Sequence, residues 1–246
     1  MTALSPSILV VDDDADTCRN LADILGDFGY RVETAHDGFA ALDLVRSRPF
    51  DVALLDLKMP GMDGLELYRE VKRLRPSTVA IIISAHANAE IAREARGAGA
   101  WQVLAKPVDL GRLMPLIDEA VGQPLVLVVD DDPDLCESLW DLLRDRGYRV
   151  GVAHEEGQAA GLLRDASYKV VLIDMKLPGG DGGTVFQTVR RLSPESRVIL
   201  VTGFRNELDD LVRRVLAEGA DAICYKPFDV PELLDTVHRL TDEPQK

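Results

Sequence analysis

The stretch ILVVDDDADTC spans Ile8 to Cys18, and VLVVDDDPDLC spans Val126 to Cys136. Each runs an aliphatic segment straight into three aspartates. Neighbouring carboxylates repel one another, so the arrangement is costly unless something positive sits among them. The aliphatic run reads as a strand buried on both faces, with the acids at its carboxyl end. A helix start follows in both copies. Asp14 stands at the cap position of the first, and Asp132-Pro133 gives the second a cap and a first-turn proline.

Offsetting the sequence by 118 residues aligns much more than these two stretches. Residues 9–36 and 127–154 share 18 identities in 28 positions. The register holds through Asp56/Asp174, Lys58/Lys176, Pro60/Pro178, Asp63/Asp181 and Ser84/Thr202. After a two-residue insertion, Gly99-Ala100 meets Gly219-Ala220 and Lys106-Pro107 meets Lys226-Pro227. The period is far longer than a solenoid unit, so a whole domain is duplicated. The expected layout is a tail over 1–7, domains over 8–122 and 125–241, and a tail over 242–246. The join, about Gly122-Gln123-Pro124, is too short to let the domains tumble freely.

Composition narrows the function. The net charge is −14. Residues 1–122 carry 13 Lys/Arg against 19 Asp/Glu, leaving 15 against 23 for the remainder. Neither half is a basic module, which argues against direct nucleic-acid binding. No apolar run reaches the roughly 18 residues that span a bilayer, and the MTALSPS start lacks a signal-peptide charge pattern. Membrane insertion is not expected, and a cytoplasmic location is. The cysteines Cys18, Cys136 and Cys224 form no metal-ligand spacing and read as inert, partly buried thiols.

Each half alternates short aliphatic runs with helix-period segments. In the first half the strands are read at 8–11, 31–35, 51–56, 79–84 and 101–106. Five βα units per half predict two α/β domains in tandem, each a doubly wound, five-stranded parallel sheet (flavodoxin-like) of order 2-1-3-4-5. That order makes the first and third strands neighbours. Asp12, Asp13, Asp56, Ser84 and Lys106 then gather at the carboxyl edge, where such folds place function. Asp130, Asp131, Asp174, Thr202 and Lys226 repeat the set. A hard divalent cation with oxygen ligands relieves the acids' repulsion, and Mg2+ suits a few carboxylates plus water. A carboxylate beside such a cation and a lysine can attack phosphorus, forming an aspartyl phosphate.

Each half resembles a bacterial two-component response-regulator receiver domain of the CheY-like kind. The resemblance rests on the acidic pair, on LLDLKMPGMDG and LIDMKLPGGDG around the central Asp, on the small hydroxyl residue and on Lys-Pro. It covers almost the whole chain. It implies Asp56 and Asp174 as phosphoacceptors, Asp13 and Asp131 as direct Mg2+ ligands, and Asp12 and Asp130 acting on the metal largely through water. It further implies metal contacts from the backbone carbonyls of Lys58 and Lys176. Ser84 and Thr202 would bond one phosphoryl oxygen, and Lys106 and Lys226 would pair with another. Both Lys-Pro bonds are expected to be cis.

Several features depart from that pattern. Val103 and Ile223 occupy the place, three before the lysine, where the family often has an aromatic switch residue. Movement of a loop and the fourth helix is expected instead. The segment HANAEIAREARGAGA has few large apolar anchors and predicts a weakly packed fourth helix. Pro115 falls inside the last helix of the first half and is expected to kink it. Phe204, two residues after Thr202, is expected to slow water attack, whereas His86 reads as solvent-facing. PGGDGG (178–183) superficially matches a diguanylate-cyclase signature but aligns with the ordinary loop after the acceptor strand. A haloacid-dehalogenase-type phosphatase is disfavoured, because Asp12-Asp13-Asp14-Ala15-Asp16 lacks that pattern.

The functional reading is a tandem receiver protein. A sensor histidine kinase or histidine phosphotransfer protein would donate phosphoryl groups to Asp56, Asp174 or both. Phosphorylation would alter a surface for a downstream protein partner, or the domain arrangement. Catalysis would be limited to the chain's own phosphorylation and dephosphorylation. Alternatives are a phosphate sink, a receiver portion of a longer regulator or hybrid kinase, and a non-phosphorylated scaffold.

Overall fold

A computed structural model describes residues 5–177, 182–203 and 215–242. The chain divides into two compact units, Met1–Gln123 and Pro124–Lys246. The first contains β1 (Ser7–Val11), α1 (Ala15–Asp27), β2 (Arg31–Ala35), α2 (Gly38–Ser47), β3 (Val52–Asp56), α3 (Gly64–Leu74), β4 (Val79–Ser84), α4 (Ala89–Ala98), β5 (Gln102–Ala105) and α5 (Leu110–Gly122). The second contains β6 (Leu125–Val129), α6 (Pro133–Arg144), β7 (Arg149–Ala153), α7 (Glu156–Asp165), β8 (Val170–Asp174), α8 (Gly182–Leu192), β9 (Arg197–Thr202), β10 (Ala222–Tyr225) and α9 (Val230–Asp242). Both sheets are wholly parallel. Their orders are β2-β1-β3-β4-β5 and β7-β6-β8-β9-β10, the same topology twice.

Strand alternation sorts the aliphatics into two layers per domain. In the first domain Leu9, Val11, Leu55 and Ile82 face α2, α3 and α4, packing on Leu42, Leu67 and Val71. Ile8, Val10, Leu54 and Ile81 face the opposite way, toward Leu21 and Leu25 of α1 and Leu113 and Ile117 of α5. Strands apolar on both faces demand this three-layer arrangement. Truncating a fully buried member such as Ile82 to Ala should cost about 2–5 kcal/mol, through lost burial and the cavity left behind.

Caps fix the helix starts beside the acids. Asp14 and Asp132 accept from the amides of Asp16 and Asp134, both at 3.0 Å. Asp109 accepts from Gly111 N–H, and Asp229 from Glu232 N–H. Helix α4 buries only Ala95, in keeping with its poverty in apolar anchors. Pro115 lies inside α5, which continues through it, its ring on the exposed side.

Candidate functional site

The parallel register β1–β3–β4–β5 brings four strand ends to one edge. Asp12, just beyond β1, and Asp56 and Ser84, the last residues of β3 and β4, are buried there, while Asp13 is exposed. Lys106 reaches across from the end of β5. Its Nζ lies 2.7 Å from Asp12 Oδ2 and 3.2 Å from Asp56 Oδ1. Asp12 Oδ1 in turn accepts from Asp14 N–H at 3.0 Å. Ser84 Oγ accepts the amide of His86 at 3.1 Å, which fixes the buried hydroxyl at the end of β4.

The second domain rebuilds this arrangement with a tighter clasp. Lys226 Nζ lies 2.6 Å from Asp130 Oδ2 and 2.8 Å from Asp174 Oδ2. Asp174 Oδ1 accepts the Lys176 amide at 3.0 Å, and Asp130 Oδ1 accepts that of Asp132 at 3.0 Å. Asp130, Asp174 and Thr202 are buried and Asp131 is exposed. Both Lys106-Pro107 and Lys226-Pro227 are cis, as the motif implied.

Burial pushes the Asp56 carboxyl above the ordinary carboxylate range, and the nearby Asp12 charge adds to this against the opposing pull of Lys106. In the second pocket burial raises Asp130, the hydrogen bond from Lys226 opposing it. Burial alone would depress the two lysines. Hydrogen bonds to their aspartates outweigh it, so both ammonium groups stay protonated beyond their usual range. Each pocket therefore holds more carboxylates than one cation neutralises.

The donor set tests whether a divalent ion fits. Asp12, Asp13 and Asp56 each offer a carboxylate oxygen, all within 4.8 Å of one another, and Asp130, Asp131 and Asp174 do the same. Oxygen-only, multiply anionic donors suit a hard cation, so the acids fit one. Lys58 and Lys176 are both exposed.

Two glycines that sequence reasoning passed over seat the acceptor strands. A Cβ on Gly64 would meet Asp56 O at 2.3 Å, and one on Gly182 would meet Asp174 O at 2.6 Å. The first turns of α3 and α8 thus pack directly on the acceptor backbone. This corrects the reading of 178–183 as a loop throughout. Gly182 and Gly183 open α8, only a bare Cα fits at Gly182, and 178–181 lie outside the described residues. Phe204 also lies outside them. The cysteines are correspondingly deeper than expected: all three are buried, and Cys136 is pushed up to about 12 by that burial. Val103 joins the layer facing α2–α4, whereas Trp101 packs with α1 and α5 and so does not replace the absent ring. Tyr225 is 42% exposed.

Fold and pocket define a class: α/β domains that gather acids, a hydroxyl and an ammonium at the carboxyl edge of a 2-1-3-4-5 sheet. The family model for the response regulator receiver domain matches residues 8–118 and 126–238. A response regulator receiver protein of Anaeromyxobacter sp. (strain Fw109-5) is 37% identical over 235 residues, 96% of this chain and 95% of that protein. The transcriptional regulatory protein ZraR of Klebsiella oxytoca is 40% identical over 122 residues, 50% of this chain but only 28% of that protein. Among solved structures, a CheY-like receiver domain protein from Methanospirillum hungatei JF-1 is 32% identical, covering 47% of this chain and 96% of that one with a TM-score of 0.44. The chain belongs to the response regulator receiver family, with two receiver domains in tandem, and acts in phosphorelay signalling. Among the described residues no helix is long and apolar enough to cross a membrane.

Proposed function

We propose that Asp56 and Asp174 are the phosphoacceptors, each served by its own cation pocket. The observation that supports this most is the doubled constellation. In each domain a buried strand-end carboxylate lies within 3.2 Å of a lysine Nζ and beside two further acids. The donor is the phosphohistidine of a sensor kinase or phosphotransfer protein. A carboxylate oxygen attacks phosphorus, the new P–O bond forms as the P–N bond breaks, and the imidazole nitrogen leaves with the electron pair. Asp12, Asp13 and Asp56, with the Lys58 carbonyl, would hold Mg2+, as would Asp130, Asp131 and Asp174 with the Lys176 carbonyl. When bound, that ion supplies charge neutralisation for the phosphoryl oxygens. Lys106 and Lys226 shift from carboxylate to phosphoryl oxygen, and Ser84 and Thr202 donate their hydroxyl protons to another. Repositioning these groups changes the surface near α4 and β5, or its counterpart, for a downstream protein in the cytoplasm.

Intact-protein mass spectrometry after incubation with Mg2+ and acetyl phosphate tests the proposal. Two phosphoryl groups per chain are expected, one lost in Asp56→Ala and the other in Asp174→Ala. A full complement in either variant would overturn the assignment for that domain.

A further inference from the structure

The peptide joining the two acids of the second pocket carries a pair of donors with no part in the chemistry above. The main-chain oxygen of Asp130 accepts from Cys136 Sγ at 3.3 Å and lies 3.0 Å from His154 Nδ1. A carbonyl only accepts, so Nδ1 carries the proton and donates, and the oxygen's two lone pairs are both used. The two side chains stand 3.9 Å apart, one arriving from α6 and the other from the turn between β7 and α7. That turn is itself anchored. His154 N–H donates to Gln158 Oε1 at 2.9 Å, and Asp130 N–H donates to Ala153 O at 3.1 Å.

The carbonyl so held belongs to the planar unit that leads from Asp130 into Asp131. Fixing that plane sets where the Cα–Cβ bond of Asp131 points. The Asp130 carboxylate has separate anchors in Lys226 Nζ and Asp132 N–H. The Asp131 side chain is exposed, and no hydrogen bond to its carboxylate is seen among the described residues. Its aim therefore depends on the main chain. We infer that His154 and Cys136 are positioning residues of the second pocket, aiming the Asp131 carboxylate at a divalent cation through the Asp130–Asp131 peptide. This deepens the cation-binding reading and rests on it. The first domain has the same residue types but a looser hold. Cys18 Sγ donates to Asp12 O at 3.3 Å and lies 3.6 Å from Ala35 O, and no bond from His36 to Asp12 O is seen among the described residues.

The test is calorimetric titration of the full chain with Mg2+, in an Asp13→Asn background that leaves only the second pocket intact. His154→Ala should weaken binding roughly fivefold, about 1 kcal/mol at 1.4 kcal/mol per decade. His154→Asn places Nδ2 where Nδ1 stood and should restore the affinity to within about twofold. A lost structural element would not be rescued this way, and melting temperatures of the two variants should agree. Cys136→Ser, which keeps a donor, should bind more tightly than Cys136→Ala. An unchanged affinity in His154→Ala, or His154→Asn no better than His154→Ala, would overturn the inference. Asp131→Asn in the same background separates the two levels. If it removes no binding that the parent shows, the cation reading of the pocket falls first, and the positioning role with it.

Discussion

The two domains build their pockets from the same set of acids and a lysine but close the adjacent corner of the sheet by different chemistry. In the first domain the buried Tyr68 hydroxyl donates to Gly99 O at 2.7 Å, at the end of α4. Its counterpart in the second domain is Phe186, which has no hydroxyl to give. There Arg190 takes over, donating to Gly219 O and, at 2.8 Å, to Ser196 O, with its guanidinium 5.0 Å above the Phe186 ring. That guanidinium lies 3.4 Å from Asp221 Oδ2, Arg197 pairs with Asp221 Oδ1 at 3.0 Å, and Asp221 Oδ2 also accepts the Val198 amide at 2.9 Å. The alignment, offset by 118 before the two-residue insertion and by 120 after it, puts Val79 and Trp101 at these two places in the first domain, both packed against its α1–α5 layer. What persists between the copies is the need to satisfy one carbonyl and fill one corner. The residues that do so were free to change.

The largest effect should come from breaking the ionic version. Asp221→Ala leaves the largely buried Arg197 without this carboxylate and the Val198 amide without its side-chain acceptor. Removing one member of such a buried pair costs about 3–5 kcal/mol. Unfolding followed by Trp140 fluorescence should report a destabilised second domain. An unchanged midpoint would mean that solvent replaces the pair without loss, and the two corners would then be equivalent in energy as well as in place.

Next in size is the loss of the pocket lysines. Removing one preorganised charge donor typically costs about 10^2–10^3 in rate. Lys226→Met should slow labelling of Asp174 by about that factor while leaving Asp56 alone, and Lys106→Met should do the reverse. Time-resolved intact mass after acetyl phosphate and Mg2+ addition reads both sites. If either variant slowed both sites, the pockets would be coupled, and the comparison of two independent copies would fail.

A smaller effect tests the carbonyl exchange directly. Tyr68→Phe deprives the Gly99 oxygen of its buried donor and should cost about 1–3 kcal/mol. Adding Lys72→Arg, at the position equivalent to Arg190, should recover part of that cost. Urea midpoints of the single and double variants provide the measurement. No recovery would show that the guanidinium route needs Asp221 as well, and so belongs to the second domain alone.

How much of this was open to reading from residues alone follows a physical divide. Strand positions, sheet order and the acid–hydroxyl–lysine set were legible, because strands buried on both faces write unbroken aliphatic runs and the duplication shows each chemical position twice. The cis Lys-Pro bonds came with the motif. Side-chain donors to main-chain carbonyls were not legible. Cys18 and Cys136 gave a signal in recurring six residues after Asp12 and Asp130, but spacing cannot say that a thiol points back at a carbonyl. The Arg190–Asp221 corner joins α8 to the start of β10, and no local pattern links residues that far apart. Gly64 and Gly182 looked like turn glycines because their role is a close approach to another strand end, visible only once the strands are placed.

The smallest effect concerns Tyr30 and Tyr148, equivalent residues that open β2 and β7. Tyr30 donates a very short hydrogen bond to the Asp118 carboxylate, whereas Tyr148 Oη stands 3.5 Å from Thr241 Oγ1. Tyr30→Phe should therefore destabilise the first domain by about 1 kcal/mol, while Tyr148→Phe should change the second by less than about 0.5 kcal/mol. The pH dependence is more telling than either value. Burial and then Asp118 push the Tyr30 phenol up to about 12, against roughly 10 in an unfolded chain. The folded state thus holds this proton more tightly than the unfolded one. Its contribution is complete below about pH 10 and is lost as the pH rises toward 12. The stability gap between the parent chain and Tyr30→Phe should accordingly be constant from pH 7 to 9 and close between 10 and 12. A gap that stayed open at pH 11.5 would mean that the ring's packing, rather than the bond to Asp118, separates the two tyrosines.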